Sequence, residues 1–358
     1  MKIYILIGTR PNFIKITQFK KWAPQFGVEI KLIHTGQHFD VKMADVFFQE
    51  LNIQPDYFLD IPQTNQVNQI ANVLTGLEKL ILKIGKPDLF IVPGDVNSTL
   101  AGALFANKVE IPLAHLEAGL RSFDRTMPEE HNRVVTDHLS DILFVTEQSG
   151  LDTIKKEDIK GQAHLVGNTM IDTMVAFEEQ IENSSILEHL NVERPFIPVT
   201  IHRPSNVDNE VGLEKLLVLF QALSEKYELL FPIHPRTQKK MEQFKLREKF
   251  NQIKGLKFLE PLGYFDFQKL VKSAALVLTD SGGIQEETTY RKVPCITLRE
   301  NTERPSTITL GTNTLMDFEI NPILETIYAI EKGTYKKGEI PPFWDGLATK
   351  RILEIISM

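Results

Sequence analysis

The sequence predicts an α/β protein made of two doubly wound domains, each with a parallel sheet. Three observations support this prediction. Short apolar strands alternate with helical patterns, polar residues collect directly after the strands, and the second half of the chain repeats the order of the first. Alternation of this kind is typical of parallel βαβ units. Because ligands of open parallel sheets bind beyond the carboxyl ends of the strands, the polar residues there predict a site.

The first half carries six predicted strands, at 2–7, 28–34, 88–92, 112–116, 142–145 and 164–166. Helical patterns lie between them, at 12–22, 41–51, 67–84, 97–108 and 128–139. Pro11 suits the first position of a helix, where a missing N–H is not needed. Polar residues follow the strands at Arg10, Gln37, Asp95 and Glu117. We therefore expect a Rossmann-like domain with a ligand site at one edge of its sheet.

The second half predicts another Rossmann-like domain. Its strands are expected at 196–201, 229–233, 256–259, 275–278 and 294–298. His202 follows the first of these strands, and His234 follows the second. The boundary is expected near 167–173, which gives domains of 1–168 and 169–345. A final amphipathic helix, 346–358, is expected to pack back on the first domain.

Composition narrows the class of protein. The 358 residues are 42% hydrophobic and 24% charged, as in globular proteins, and the net charge of −7 argues against nonspecific binding of nucleic acid. Cys295 is the single cysteine, which excludes a disulfide framework, and its apolar surroundings favour a buried structural thiol. There is no signal-peptide pattern and no apolar run of membrane-spanning length. We expect a cytoplasmic protein.

A glycine turn between a strand and a helix is the strongest candidate for anion binding. Ser281, Gly282 and Gly283 follow an apolar strand and can present backbone N–H groups at the start of a helix, where the dipole favours phosphate. Glu287, one turn further on, can accept hydrogen bonds from sugar hydroxyls. The alternative is an ordinary turn, because paired glycines are common in turns.

Three carboxylates of the first half are candidates for proton transfer. Glu117 ends an apolar strand, where an unused carboxylate would be costly, although Arg121 could be simply its partner. Asp95 follows a strand and a glycine, but it could equally be a helix N-cap. Glu129 opens a helix and is a candidate catalytic group.

The same helix holds three charged residues with simpler interpretations. Glu130 is expected to be a helix-start charge, which the helix dipole favours. Arg133 and Asp137 are four residues apart and are expected to form a surface pair.

Cations and histidines complete the set of candidates. Arg10 and Lys15 lie on one turn-and-helix unit and can hold phosphate oxygens, or they are simply solvated. His202 and His234 stand at equivalent strand ends and can carry protons near neutral pH. Zinc-ligand spacing, a Gly-x-Gly-x-x-Gly turn and a Gly-x-Ser-x-Gly elbow do not occur. The pattern suits acid/base chemistry on a phosphorylated or nucleotide-linked substrate held between two domains.

Eight short stretches, in order, resemble one enzyme family over nearly the whole chain. They read GTRPNFIK, TGQH, GD, HLEAGLRS, PEEHNR, HR, DSGGIQEE and TERP, and they begin at Gly8, Thr35, Gly94, His115, Pro128, His202, Asp280 and Thr302. Together they resemble the non-hydrolysing UDP-N-acetylglucosamine 2-epimerases.

The resemblance implies a glycosyltransferase-B-like fold with the active site in the interdomain cleft, a homodimer, and neither NAD nor a catalytic metal. It also implies inversion at C2 of UDP-GlcNAc to give UDP-ManNAc, through elimination and re-addition of UDP, in supply of surface polysaccharide. The acid/base residues would be Asp95, Glu117 and Glu129, with His202 also at the reacting centre. The substrate-binding residues would be Arg10, Lys15, His202, Phe267 against the uracil, Ser281, Gly282, Gly283, Glu287 and Arg304.

Departures from the family pattern leave the substrate open. Asn12-Phe13 stands where the family commonly has Glu-Ala, and Ser205 stands where it has an acidic residue. Phe13 and the stretches at 97–103 and 121–130 resemble a branch that acts on UDP-2,3-diacetamido-glucuronate, whereas Thr9 does not. The motifs also leave open a hydrolysing epimerase, a glycosyltransferase and a non-catalytic nucleotide-sugar binder.

Activation by a second UDP-GlcNAc is expected to be weak or absent. Of the residues that form this allosteric site in bacterial members, Gln37, His38 and His234 are present. Asp40 replaces a glutamine, and residues 62–66 contain no arginine.

Overall fold

The computed structural model describes residues 1–36, 48–59, 61–62 and 64–358. The chain forms two compact units, Met1–Phe177 together with Pro342–Met358, and Glu178–Pro341. Each unit contains one parallel sheet whose strands are connected through helices. The predicted helix at 41–51 lies largely outside the described residues. Within the described ranges, no helix is both long enough and apolar enough to cross a bilayer.

The first unit contains a seven-stranded sheet with the order β3-β2-β1-β4-β5-β6-β7. Its strands are β1 Lys2–Ile7, β2 Glu29–His34, β3 Tyr57–Phe58, β4 Leu89–Pro93, β5 Leu113–Ala118, β6 Ile142–Val145 and β7 Gln162–Leu165. Its helices are α1 Arg10–Ile16, α2 Phe19–Trp22, α3 Gln66–Ile84, α4 Asn97–Lys108, α5 Pro128–Leu139, α6 Gln148–Lys156 and α7 Thr169–Ala176, with a 3₁₀ turn at Ala23–Phe26. The sequence did not predict β3, which is too short to show a periodic pattern.

The second unit contains a six-stranded sheet with the order β10-β9-β8-β11-β12-β13. Its strands are β8 Phe196–Thr200, β9 Glu228–Pro232, β10 Leu256–Leu259, β11 Val277–Thr279, β12 Cys295–Leu298 and β13 Asn313–Met316. Its helices are α8 Glu178–Glu182, α9 Ile186–His189, α10 Pro204–Val207, α11 Glu210–Ser224, α12 Pro235–Gln243, α13 Arg247–Asn251, α14 Tyr264–Ser273, α15 Gly282–Arg291, α16 Ser306–Thr309 and α17 Ile320–Glu331. Strand β13 was not predicted, because Asn313 and Thr314 interrupt its apolar pattern.

Both sheets confirm the predicted α/β class with two doubly wound domains. Strands β1 and β8 are each covered on both faces, so their apolar runs are nearly continuous; Ile3, Tyr4 and Ile5 are completely buried. The strand order reverses between β1 and β4 in the first sheet, and between β8 and β11 in the second. Such switch points open a crevice at the carboxyl edge, where the candidate residues of each unit follow their strands.

The last helix, α18 Ala348–Ser357, belongs to the first unit. The carboxylate of Asp172 on α7 accepts hydrogen bonds from the backbone N–H groups of Ala348, at 3.0 Å, and Thr349. Trp344 is buried and donates its indole N–H to the Thr146 carbonyl at 3.0 Å. These contacts fasten α7 to the first unit, so the division between the units follows α7 at Phe177, whereas the sequence placed it before this helix.

Candidate active site

The end of β5 carries a strained acidic residue. The register between β5 and β6 shifts between Leu116 and Ala118, so Glu117 is the extra residue of a bulge. Its φ angle is 71°, in the left-handed region, and only 7% of its surface is exposed. Such a backbone costs a non-glycine residue about 1–3 kcal/mol, and residues held in this way recur at active sites.

The buried ammonium of Lys15 pairs with this carboxylate. Lys15 donates to Glu117 Oε2, and both side chains are more than nine-tenths buried. Gly94 passes close by, because a Cβ at this position would lie 2.8 Å from Lys15 Nζ. The φ of 68° and this close approach together favour glycine at the position. The Lys15 ammonium holds the carboxylate of Glu117 in a fixed position at the end of β5.

The buried side chain of Asn12 connects the start of α1 to the ends of β1 and β4. Its Oδ1 accepts from the Gly8 N–H at 3.1 Å and the Thr9 N–H at 3.2 Å, and its Nδ2 donates to the Pro93 carbonyl at 3.1 Å. One buried amide therefore fixes the start of α1 relative to β1 and β4.

Asp95 is held by a buried arginine. Arg133 Nη1 lies 3.1 Å from Asp95 Oδ2, and Arg133 is 2% exposed. Asn132 Nδ2 donates to the Asp95 carbonyl at 2.8 Å. The N-cap of α4 is Val96, so the alternative that Asp95 caps this helix is wrong.

Of the two glutamates that open α5, Glu130 is buried and Glu129 is exposed, although the sequence made Glu129 the catalytic candidate and Glu130 a simple helix-start charge. Glu130 is buried and accepts hydrogen bonds from the Ser122 N–H and hydroxyl and from the Phe123 N–H at 2.9–3.0 Å. It is therefore more than a helix-start charge. Glu129 is exposed on the first turn of α5.

Asp137 is completely buried, so the predicted surface pair with Arg133 is wrong. Its Oδ2 accepts from Arg121 Nη1 at 2.6 Å, and its Oδ1 lies 2.7 Å from His115 Nδ1. Burial raises the pKa of Asp137, but hydrogen bonds and charge from His115 and Arg121 outweigh burial and lower it overall. Arg121 pairs with Asp137 and, through Nε and Nη2, with Glu157.

In the second unit, Asp280 organises the strand ends. This fully buried carboxylate accepts from the His202 N–H at 2.9 Å, the Arg203 N–H at 2.8 Å and Asn206 Nδ2 at 3.0 Å. Arg203 Nε donates back to the Asp280 carbonyl at 2.9 Å. The ends of β8 and β11 are thereby tied together directly before the glycine turn.

The glycine turn opens helix α15 as predicted. Ser281 is the N-cap and Gly282 the first helical residue. Arg304 lies against this helix start, since a Cβ on Gly282 would be 2.6 Å from Arg304 Nη1. Arg304 is 7% exposed and pairs with Glu286 at 2.8 Å and with Glu303. Helix N–H groups and a guanidinium thus converge where an anion can bind.

Glu287 and Phe267 lie on neighbouring helices of the second unit. Glu287 is buried, and this burial raises its pKa to about 7, although the nearby Gln268 amide and the charge of Arg291 both lower it. Phe267 is half-buried against the apolar cluster that includes Val271 and Ile284. A buried carboxylate suits a partner that donates hydrogen bonds, such as a ribose hydroxyl.

The two histidines of the second unit stack on each other, with ring centroids 5.1 Å apart and planes at 27°. Burial lowers the pKa of His202, as do Arg203 and Arg236, while Asp280 opposes them. His202 is therefore neutral near pH 7 and can either accept or donate a proton. His234 is the N-cap of α12 and accepts from the Arg236 N–H at 3.1 Å.

Comparison with known proteins agrees with this chemistry. A family model described as UDP-N-acetylglucosamine 2-epimerase matches residues 20–357. The chain belongs to this family. The resemblance to UDP-N-acetylglucosamine 2-epimerases drawn from the sequence motifs is confirmed.

Relatives and a solved structure cover almost the whole chain. A UDP-N-acetylglucosamine 2-epimerase of Methanococcus maripaludis is 41% identical over 99% of this chain and 98% of its own length. A UDP-2,3-diacetamido-2,3-dideoxy-D-glucuronate 2-epimerase of Pseudomonas aeruginosa is 37% identical over 100% and 99%. The crystal structure of the Methanocaldococcus jannaschii UDP-GlcNAc 2-epimerase with UDP-GlcNAc and UDP is 39% identical, with a TM-score of 0.90 over 100% and 99% of the two chains. The two-Rossmann architecture implied by the resemblance is confirmed.

Several organising residues were not recognised from the sequence. Asn12, Glu130, Asp137 and Asp280 are buried and hold the backbone of the candidate groups. Each is a polar residue one or two positions from a strand end or on the buried face of a helix. The sequence of α5 held one indication of this arrangement. Glu130, Arg133 and Asp137 are spaced three and four residues apart, so they lie on one face of the helix and could have been predicted to share an environment.

Proposed function

We propose that this chain is a non-hydrolysing UDP-N-acetylglucosamine 2-epimerase, which converts UDP-GlcNAc to UDP-ManNAc. The observation that supports this most strongly is the strained Glu117 paired with Lys15. A carboxylate that is buried at a strand end and held by an ammonium can serve as the base that takes the C2 proton, and its strained backbone is of a kind that recurs at active sites. The helix start at Gly282, with Arg304 beside it, supplies the complementary anion site.

The first step of the proposed reaction is an elimination. A base of the enzyme takes the C2 proton, and the C–H electron pair forms a double bond between C1 and C2. The bond from C1 to the phosphate oxygen breaks, and UDP leaves with that electron pair. Backbone N–H groups and Arg304 stabilise the charge that grows on the departing diphosphate.

In the second step UDP returns to the face of C1 that it left, and only the proton at C2 arrives from the other face. The phosphate oxygen of UDP adds to C1, and C2 receives a proton on the face opposite to the one that lost it. Two proton-transferring groups are needed, and we assign them among Asp95, Glu117 and Glu129, with His202 near the reacting centre. Atoms and electrons balance without an oxidant or a metal.

The remaining residues are proposed to bind the substrate. Phe267 packs on the uracil, and Glu287 accepts hydrogen bonds from the ribose hydroxyls. We also propose that the enzyme acts as a homodimer. The groups proposed to hold the diphosphate and the sugar are Arg10, Lys15, His202, Ser281, Gly282, Gly283 and Arg304.

UDP-2,3-diacetamido-glucuronate is the second candidate substrate, because a relative named for it is 37% identical. One argument for it weakens in the structure. Phe13 is 2% exposed, and its ring lies 5.4 Å from that of His34 and 4.9 Å from that of Phe48, so it is a core residue. Its resemblance to the uronate branch is therefore explained by packing. Ser205, which replaces an acidic residue common in the family, is exposed, so packing does not explain this replacement and it remains a reason to test the second substrate.

Isotope exchange tests the proposal. The enzyme is incubated with UDP-GlcNAc in heavy water, and the products are followed by NMR. We expect deuterium at C2 in UDP-GlcNAc and UDP-ManNAc, with UDP still attached. Accumulation of free ManNAc and UDP would support the hydrolysing type. If no deuterium entered either sugar nucleotide, the chain would be a glycosyltransferase or a non-catalytic binder instead. The same assay is run in parallel with UDP-2,3-diacetamido-glucuronate, and exchange in that compound alone would make it the substrate.

A further inference from the structure

A buried glutamine lies beside the carboxylate that is proposed to bind the ribose. Gln268 on α14 is completely buried, as Glu287 on α15 nearly is. Burial raises the pKa of Glu287 to about 7, and the Gln268 amide is one of two groups that lower it. Neither the sequence motifs nor the proposed reaction assigns Gln268 a role.

Arg291 determines which end of this amide faces Glu287. Arg291 Nε donates to Gln268 Oε1 at 3.2 Å. Because an arginine only donates and the oxygen is the acceptor of an amide, this contact occupies the oxygen end of the side chain. A donor lowers the pKa of a carboxyl group by favouring its charged form. The N–H₂ end of Gln268 is therefore the end that faces Glu287.

The guanidinium of Arg291 is itself held in place. Its side chain is 5% exposed, and Nη2 and Nη1 donate to the two carboxylate oxygens of Glu178 at 3.1 and 3.4 Å. Lys272 on α14 donates to the same carboxylate at 2.7 Å. Arg291 stands four residues after Glu287 on one helix, a spacing that allows an ion pair, yet its contacts go to Glu178 and Gln268.

The donor end of Gln268 has hydrogen-bonding capacity to spare. Within the ranges that the structure describes, its Nε2 is buried and makes no hydrogen bond. A buried donor of this kind is unfavourable unless it gains an acceptor. An ionised carboxylate has about four acceptor positions, so Glu287 can accept from Gln268 and from two hydroxyl groups at once.

We propose that Gln268 is a positioning residue, oriented by Arg291, whose amide holds the Glu287 carboxylate so that it accepts from both hydroxyls of a ribose. The proposal rests on the proposed function for the contact between Glu287 and the ribose. It makes this part of the second unit selective for ribonucleotides over their deoxy analogues.

The affinities for UDP and 2′,3′-dideoxy-UDP test the proposal, because only UDP carries the two hydroxyls. Both Kd values are measured by titration calorimetry at about pH 8, above the pKa of Glu287. For the unaltered protein we expect dideoxy-UDP to bind about 30-fold more weakly, since hydrogen bonds to a charged group are strong. In Gln268→Met the Kd for UDP should rise about tenfold and that for dideoxy-UDP less than about twofold, because Glu287 loses the donor that orients it and favours its charge.

Lys269→Met is the matched control. Lys269 is the next residue of α14, and it pairs with Glu182 at 2.7 Å. This variant should keep the ratio of about 30 between the two Kd values. A merely structural role of Gln268 would weaken the binding of both nucleotides by one factor. Equal weakening in Gln268→Met, or an unchanged ratio, would overturn the proposal.

Arg291→Lys covers the case in which Gln268→Met does not fold. Lysine keeps the charge and can pair with Glu178, but it lacks the rigid fork that also holds the oxygen of Gln268. The amide can then turn, so we expect the ratio of the two Kd values to fall about threefold. A full ratio in Arg291→Lys would overturn the orienting role.

The titrations and the exchange assay in heavy water fail independently. If the unaltered protein bound UDP and dideoxy-UDP equally well, the ribose contact of Glu287 and this proposal would both be overturned, whatever the result of the exchange assay. If deuterium exchange failed while the Kd ratios behaved as expected, the epimerase reaction would be overturned and the role of Gln268 would stand.

Discussion

The two units use one strand order, but the carboxylates beside their central strand ends are held in different ways. In the first unit Glu117 and Asp137, beside the end of β5, each face a cationic side chain: Lys15 for Glu117, and Arg121 for Asp137. In the second unit Asp280 accepts from the backbone of His202 and Arg203 and from the Asn206 amide. Side-chain cations tune charge, whereas backbone donors fix geometry. The difference suits proton transfer in one unit and a rigid anion cradle in the other.

The largest effect expected from this difference is on catalysis in the first unit. Glu117→Gln should lower kcat by about 10³-fold, within the range for loss of an acid/base group, and leave the affinity for UDP unchanged, because the nucleotide is proposed to bind mainly in the second unit. Steady-state kinetics and titration calorimetry with UDP measure the two effects. Glu110→Gln is a matched control, since Glu110 has a φ of 57° but is exposed before the same strand. Normal turnover of Glu117→Gln would remove this residue from the mechanism.

The next effect concerns stability in the second unit. Asp280→Asn turns an amide N–H₂ toward N–H donors, so we expect a loss of about 3 kcal/mol in the free energy of unfolding. Denaturant unfolding measures it. Asp208→Asn breaks an exposed pair with Arg236 and should cost less than about 1 kcal/mol. Equal losses in the two variants would mean that Asp280 is not a brace.

A third prediction concerns pH. The folded-state pKa of Glu287, about 7, exceeds its ordinary value of 4.5, so the folded protein holds this proton more tightly than the unfolded chain. The resulting stabilisation is complete below about pH 4.5 and is lost as the pH rises through 7. Relative to Glu287→Gln, the unaltered protein should lose about 3 kcal/mol of stability between pH 4.5 and 8. A stability difference that stays constant with pH would show that Glu287 is not desolvated in solution.

The smallest effect is expected for activation by UDP-GlcNAc. The allosteric site of bacterial members uses residues that match Gln37, His38 and His234. Gln37, His38 and Asp40 lie outside the described residues, and the ring of His234 stacks on that of His202. Trace UDP-GlcNAc added to assays of UDP-ManNAc should produce no change in rate. If it abolished a long lag, the two replacements at Asp40 and residues 62–66 would not matter.

Several candidate residues, among them Asp95, Glu117 and His202, could be singled out from the sequence because they follow a strand end, where parallel sheets assemble their sites. Glu117 was singled out as a carboxylate too costly to bury unused, and the glycine turn as a helix start. Their partners were not predictable. Arg121 stands four residues from Glu117, yet its guanidinium binds Asp137 and Glu157, which lie on α5 and directly after α6.

The sequence by itself determined the two α/β domains and the family, since apolar periodicity and the order of short motifs are local properties of the chain. Only the tertiary structure decided which charges are buried and how they pair. It buried Glu130 and Asp137, exposed Glu129, joined Lys15 to Glu117, and placed His115 between two acceptors. Pairing depends on which side chains from distant strands and helices meet in a medium of low dielectric constant, and spacing along the chain does not encode that meeting.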